Sequence, residues 1–442
     1  TTDWTKYEIT LTMNPEKTTQ IVVGGILNGN GKMWMDDLKV SVDGKDIAEL
    51  KPFERKIYPA EKDRAFDKGS QISSIKNDAS TIKNLKSLGL IWGFLKYYHP
   101  NISKGNYNWD YELFRLLPKI LKSENAEMVE QDLVKWIEDL GEFADGREIY
   151  FNSSDVKFSP DLDWIKTFNF SKKLNSLLIK IKNAERSKEH YYVGLQPEVG
   201  NPKFKNEPSY SSMKYPDAGF RLLALYRYWN IIQYYFPYKN LIEEDWKSVL
   251  EEFLPKFILA KDEKEYTLAT LELIGRIHDT HANIWGSNQV LNNYRGVRYA
   301  AVELTFIEDK AIVTTYHDKK LGMESGLQIG DIITTINNLS IKEIVKDRLK
   351  YAPASNYPTK LRDIAPSLLR TNDSIIHVEF IRNDKTEKKI LKTFSTKEIN
   401  VYSKYQVIDT CFKFINKDIA YINNGSVKSK YLPAIWKEIQ NT

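Results

Sequence analysis

Trp92-Gly93-Phe94-Leu95-Lys96-Tyr97-Tyr98-His99-Pro100 returns 137 residues later as Trp229-Asn230-Ile231-Ile232-Gln233-Tyr234-Tyr235-Phe236-Pro237. The alignment runs on without a gap: Trp109 meets Trp246, Leu113 meets Leu250, and Leu117-Pro118-Lys119 meets Leu254-Pro255-Lys256. Nine identities in the 28 positions from Trp92 to Lys119, two Trp pairs and two Pro pairs among them, exceed what helical patterning alone supplies. Each copy also carries an apolar stripe at three- and four-residue steps: Leu85, Leu88, Ile91, Trp92, Leu95 and Tyr98 in the first, Trp246, Val249, Leu250, Phe253, Leu254 and Phe257 in the second. The stripes predict core-facing helices, and the repeat predicts a helix–Pro turn–helix unit used twice, over 85–144 and 222–281.

The duplication acts as an internal control. Residues shared by both copies are explained by shared packing, so Tyr-Tyr-x-Pro reads as scaffold. His99 stands opposite Phe236, which favours a packing role for that imidazole. Beyond the second helix the copies diverge, and Gly141-Glu142-Phe143-Ala144 lies opposite His278-Asp279-Thr280-His281.

The 442 residues suggest about three domains. A hydrophobic share of 42% with 10 Trp, 26 Tyr and 19 Phe excludes a disordered chain. The net charge of +5 is scattered among acidic residues, so it gives no stripe for nucleic acid and reads as solvated surface. One cysteine, Cys411, excludes an internal disulfide framework and a multi-cysteine metal site. No apolar run reaches the length of a membrane span, and Thr1-Thr2-Asp3-Trp4 has no signal-peptide character.

Before the repeats, residues Trp4 to Ile47 alternate as strands do: Tyr7, Ile9 and Leu11, then Ile21 to Val23, then Trp34 to Val42 after a Gly-rich turn. So few strands are marginal alone, and residues 1–50 read as the C-terminal part of a β-sandwich. Gly29-Asn30-Gly31-Lys32-Met33-Trp34-Met35-Asp36-Asp37-Leu38, with Asp43-Gly44, resembles the last hairpin of galactose-binding-like jelly rolls. That resemblance implies glycan contact; the residues themselves fit an ordinary hairpin with two carboxylates at its turn. Residues 51–80 read as a linker, and within 145–216 a helix is expected over Leu162 to Lys182.

Of six histidines, His377 fits a strand, and His190 and His317 lie in polar loop-like stretches. His278 and His281 end an amphipathic helix expected over Tyr266 to Ile277. Three readings compete for them. A metal would want a third ligand, and none is apparent; a helix-capping pair would favour the C-terminal dipole; a general base would take the proton of a serine whose own pKa is far too high. No Gly-x-Ser-x-Gly elbow supplies that serine.

From Arg295 to Phe394 the pattern is rich in strands. Ser325-Gly326-Leu327-Gln328-Ile329-Gly330-Asp331-Ile332-Ile333-Thr334-Thr335-Ile336-Asn337 resembles the PDZ signature of bacterial proteases. The resemblance implies a PDZ domain over 293–396, with Tyr299, Ala300, Ala301 and Val302 presenting backbone N–H groups to a peptide end added at a sheet edge.

A helical unit ending in Asp279-Thr280-His281-Ala282-Asn283, then the PDZ-like stretch, then Asp418 to Asn424 as a strand and a helix from Lys430, together resemble the tail-specific or C-terminal processing serine peptidases, nearest their tricorn-like branch. Carried over, His281 is the general base, Thr280 takes the position of a small hydroxyl residue, and 397–442 opens a crotonase-like α/β core. The fold class expected is therefore multidomain α+β: partial jelly-roll-like sandwich, duplicated helical region over 81–292, PDZ domain, and the first strand and helix of that core. Both ends read as cut. The expected parent is a secreted, periplasmic or cell-surface serine endopeptidase that needs no cofactor and acts on peptides or proteins, with this chain inactive by itself. The other reading is a non-catalytic peptide-binding and scaffold module.

Overall fold

The computed structural model of the chain describes residues 3–14, 21–28, 31–51, 55–146, 160–402, 411–425, 427 and 429–440. They fall into two units, Thr1–Ile57 and Tyr58–Thr442. In the first, the ladder is one short antiparallel hairpin of β1 (Ser41–Val42) and β2 (Lys45–Asp46), turning at Asp43 and Gly44, both with positive φ. The other expected strands carry no ladder among the described residues: Tyr7, Ile9, Leu11 and Val22 are exposed, and Gly29 and Asn30 lie outside the described residues. Alternation marks where a strand can pair, but a ladder needs a partner and an apolar face needs cover.

The second unit opens with α1 (Pro59–Lys62), followed by α2 (Ala79–Tyr98), α3 (Pro100–Ser103), α4 (Trp109–Lys122) and α5 (Ala126–Asp139). Ala60, Ser70, Ile72 and Ile75 are buried, so most of the expected linker packs against the helices instead of spanning a gap. The helix expected over Leu162 to Lys182 is two: α6 (Trp164–Thr167) and α7 (Lys172–Asn183), the latter capped by Ser171. A hairpin of β3 (Val193–Leu195) and β4 (Pro202–Phe204) leads to α8 (Ala218–Tyr235), α9 (Trp246–Ile258), α10 (Glu263–Gly275) and α11 (Gln289–Arg295).

Helices α2, α4 and α5 correspond to α8, α9 and α10 at the offset of 137. Asn108, Asn125, Asp245 and Asp262 cap equivalent helix starts through side-chain oxygens, satisfying N–H groups that have no partner within the helix. In the first copy Trp92 donates its indole N–H to the Trp109 carbonyl (3.0 Å) and Trp109 donates back to the Trp92 carbonyl (2.9 Å). In the second, Trp229 and Trp246 make the same exchange at 2.7 and 3.0 Å. The rings stack at centroid separations of 6.4 and 6.3 Å. A fully buried indole needs a partner for its N–H, and this reciprocal lock supplies one for each ring. The shared tryptophans are thus packing residues, as the repeat implies.

The copies also face each other through equivalent positions. A Cβ on Gly93 would lie 1.8 Å from Asn230 Oδ1, and one on Gly89 would lie 2.6 Å from the Tyr226 ring; 93 pairs with 230, and 89 with 226, at the repeat offset. The first copy supplies the hollow and the second fills it. Tyr226 Oη then donates to the Leu85 carbonyl (2.5 Å) and Asn230 Nδ2 to the Gly89 carbonyl (3.1 Å), so the buried polar atoms serve as cross-links. Tyr97 and Tyr234, again equivalent, meet edge to face. One continuous apolar core joins both copies with α6 and α7.

Beyond the helices lies an antiparallel sheet. Its strands are β5 (Arg298–Ala300), β6 (Val302–Ile307), β7 (Lys310–Tyr316), β8 (Ile332–Ile336), β9 (Leu339–Ser340), β10 (Arg370–Thr371), β11 (Ile375–Arg382) and β12 (Lys385–Ser395). The order is β10-β5-β12-β11-β8-β7-β6, with β9 on β8. Helices α12 (Lys319–Glu324), α13 (Ile341–Arg348) and α14 (Tyr357–Ile364) accompany it, and a second core of Leu304, Val313, Ile333, Val378, Phe380 and neighbours lies beneath. Gly330 (φ 100) makes the turn into β8, where buried Asp331 accepts from the Gln328 N–H (2.7 Å) and Arg382 Nε (2.7 Å). The chain then forms a hairpin of β13 (Phe412–Asn416) and β14 (Ile419–Ile422) and ends its described part with α15 (Leu432–Gln440). The fold is mixed α+β. No helix among the described residues is long and apolar enough to cross a membrane.

Candidate functional site

Two places could carry function: the turn after α10, and the free edge of the sheet. Helix α10 ends at Gly275, and His278 follows with φ 51 in the left-handed region. The equivalent residue is Gly141 (φ 86), so the backbone path is inherited and the imidazole is the novelty. His278 is half-buried, and its Nδ1 lies 3.3 Å from Lys360 Nζ on α14. Burial and that ammonium push its pKa down, which keeps the ring neutral and able to accept from Lys360.

His281 is placed differently. Its side chain is 98% exposed, and Nδ1 lies 3.0 Å from Asp279 Oδ1, which also accepts the His281 backbone N–H at 2.9 Å. A carboxylate on Nδ1 fixes the tautomer whose Nε2 accepts a proton. Trp285, itself exposed, donates its indole N–H to the His281 carbonyl (3.0 Å) and holds the turn. No serine, threonine or cysteine among the described residues hydrogen-bonds to the His281 ring. The two imidazoles thus have separate partners, and among the described residues no group of three or more His, Cys, Asp or Glu is placed to hold a metal ion. His99 is fully buried, packed edge to face on Phe143, with burial lowering its pKa to about 4.

Thr280 and Asn283, unlike His281, line a cleft of about 630 Å³ between the helical region and the sheet. Its other walls come from α11, α13 and the stretch 363–370. Sequence reasoning reached Thr280 but missed Asn283, Asp279 and the cleft's far wall.

The second place is a groove of about 150 Å³ lined by Tyr299, Ala300, Val302, Leu304, Ala365 and Leu369, with Tyr402 at its rim. Among the described residues strand β6 pairs with β7 alone, so its other edge borders this groove. Tyr299, Ala300 and Val302 therefore meet in one depression. Ala301 does not: it packs with Phe394, Ile399 and Val401 in a separate small cluster. The N–H of Ala300 is committed to the Leu369 carbonyl (3.1 Å), and β5 is held between β10 and β12. The edge backbone belongs to β6, which begins at Val302, the last residue of the expected peptide-binding stretch.

No protein-family model matches the chain, and no curated protein matches it. Among solved structures, it is similar to a photosystem II D1 C-terminal processing protease at 16% identity, over 39% of this chain and 43% of that one, with a TM-score of 0.23. The chain thus spans less than half the length of that protein.

Proposed function

We propose that this chain is the helical and peptide-binding part of a secreted or periplasmic serine endopeptidase of the tail-specific type. In this reading residues 293–396 act as a PDZ unit, and an extended peptide adds to the sheet at β6, its side chains entering the groove walled by Ala365 and Leu369. His281 is the general base, oriented by Asp279, and Thr280 marks the hydroxyl position beside it. The observation that carries the reading is the edge of β6 beside an apolar groove at the residues where the PDZ resemblance expects a ligand. Among the described residues no nucleophile is hydrogen-bonded to His281, so the chain alone is expected to bind peptides without cleaving them. The second reading, a module that binds and does no chemistry, is favoured by one fact: His281 is almost wholly exposed and lines neither cavity.

Titration of fluorescent peptides with free C-termini tests both. Saturable binding, weakened several-fold by Tyr402→Ala and unaffected by His281→Ala, with no product, is the expected result. Absence of binding would sink the peptide-binding reading. Turnover lost on His281→Ala would overturn the expected inactivity and remove the second reading.

A further inference from the structure

The cleft beside Thr280 is lined by three arginines from three separate elements: Arg295 at the end of α11, Arg348 at the end of α13, and Arg370 on β10. None has a carboxylate within salt-bridge distance among the described residues. Arg348 donates to Ser367 Oγ (2.8 Å), and Arg370 donates through Nε to the Gly296 carbonyl (2.7 Å) with its guanidinium over the Tyr299 ring. Arg295 has no hydrogen-bond partner among the described residues.

Three acids also line the cleft, and each is engaged elsewhere. Glu343 caps α13 through Ser340, Asp347 faces Lys350 and the Tyr294 hydroxyl, and Asp363 is paired with Arg362. The contrast with other arginines is informative. Arg115, Arg227, Arg276 and Arg382 each have a neighbouring carboxylate that raises the pKa. In Arg295, Arg348 and Arg370 burial is the largest influence and lowers it; Arg295 also depresses Arg348 and Arg370, and Arg370 depresses Arg348, against opposing contributions from Asp347 and nearby tyrosine hydroxyls. Half-buried guanidinium groups gathered with no carboxylate at salt-bridge distance are unfavourable unless something anionic relieves them.

We propose that this cleft is an oxyanion site, taking a phosphate or carboxylate group held by the forked donors of Arg295, Arg348 and Arg370. The planar guanidinium suits such groups because two parallel N–H donors match two oxygens. Thr280 and Asn283 add a hydroxyl and an amide at the helical wall, so a bound anion would tie the helical region to the sheet. The site does not require His281, and it shares Arg370 with the wall of the β6 groove.

Calorimetric titration of the full chain with inorganic phosphate, and separately with citrate, tests it, with sodium chloride at matched ionic strength as control. Saturable binding of phosphate or citrate, with a rise in Tm that chloride does not reproduce, is expected. Arg295→Gln should weaken binding by about tenfold, because one charge-assisted donor pair is lost. That residue has no partner whose loss would disturb folding. Arg348→Lys, which keeps the charge but loses the fork, should weaken it less. Binding of phosphate alone identifies a phosphoryl ligand, and binding of citrate alone a carboxylate ligand. No saturable binding, an equal effect of chloride, or unchanged affinity in Arg295→Gln would each overturn the proposal.

Discussion

At one equivalent position the first helical copy buries a lysine paired with a carboxylate, and the second places a glutamine. Lys96 is 1% exposed and pairs with Glu207 from the loop after β4, under the rings of Trp92 and Tyr192. Its counterpart is Gln233, which donates to the carbonyl of Asp161, a residue whose carboxylate receives Lys239 and Lys247 at 3.0 Å each. One helix further on the signs reverse: Asp110, buried with Arg227 and Tyr210, is equivalent to Lys247. Each copy thus clamps a loop carboxylate at the same place, one in the interior and one nearer solvent. The backbone of a duplicated unit is kept while its polar content is free to change.

The largest effect should come from cutting the buried clamp. Glu207→Gln leaves the Lys96 ammonium buried without its carboxylate and should cost about 3 kcal/mol, in the range for breaking a buried pair. Adding Lys96→Gln, which recreates the arrangement of the second copy, should recover part of that loss in denaturant melts. The clamp at Asp161 should show itself through pH. Its lysines hold the pKa to about 2, below the ordinary carboxylate value, so its contribution is present above about pH 4 and fades as pH falls toward 2. Asp161→Asn should flatten that acid limb, and an unchanged pH profile would show that the outer clamp adds nothing.

The interface between the copies gives the next effect. In Gly93→Ala the new Cβ would fall on the Asn230 amide, whose Nδ2 holds the carbonyls of Gly89 and Tyr226. Overpacking should outweigh the better helix propensity of alanine and leave a net loss of about 2 kcal/mol. The double variant Gly93→Ala, Asn230→Ala should restore much of it. A neutral Gly93→Ala would mean that the two copies do not need this close approach.

The helical region was legible because large residues at fixed spacing leave few alternatives. Two tryptophans and two prolines per copy announced the unit, and the cross-copy contacts through Gly89 and Gly93 follow from the same alignment. The strand pattern before it was less informative, since alternation in Tyr7, Ile9 and Leu11 says nothing of whether a partner strand is present. The site was legible only in part. His278 to His281 stood out because the other copy lacks them, yet the cleft's arginines come from α11, α13 and β10, and no spacing in the chain connects 295, 348 and 370. The carbonyl of Leu369, which occupies the Ala300 N–H, was equally out of reach, because it arrives across the sheet from 69 residues away.

The smallest effect concerns the turn where the copies part. Gly141 and His278 take the same left-handed path, but only glycine takes it without a Cβ clash, and a left-handed L-residue costs about 1 kcal/mol. His278→Gly should therefore stabilise the protein by about that amount, less whatever the ring's contact with Lys360 contributes. That contact joins a half-buried neutral ring to α14, on the same side of the chain as the cleft lined by Thr280. If the variant instead lowers Tm, the imidazole is fastening the turn to α14 more strongly than the strained backbone resists. The strain at His278 would then be the means by which the second copy, unlike the first, holds the sheet beside it.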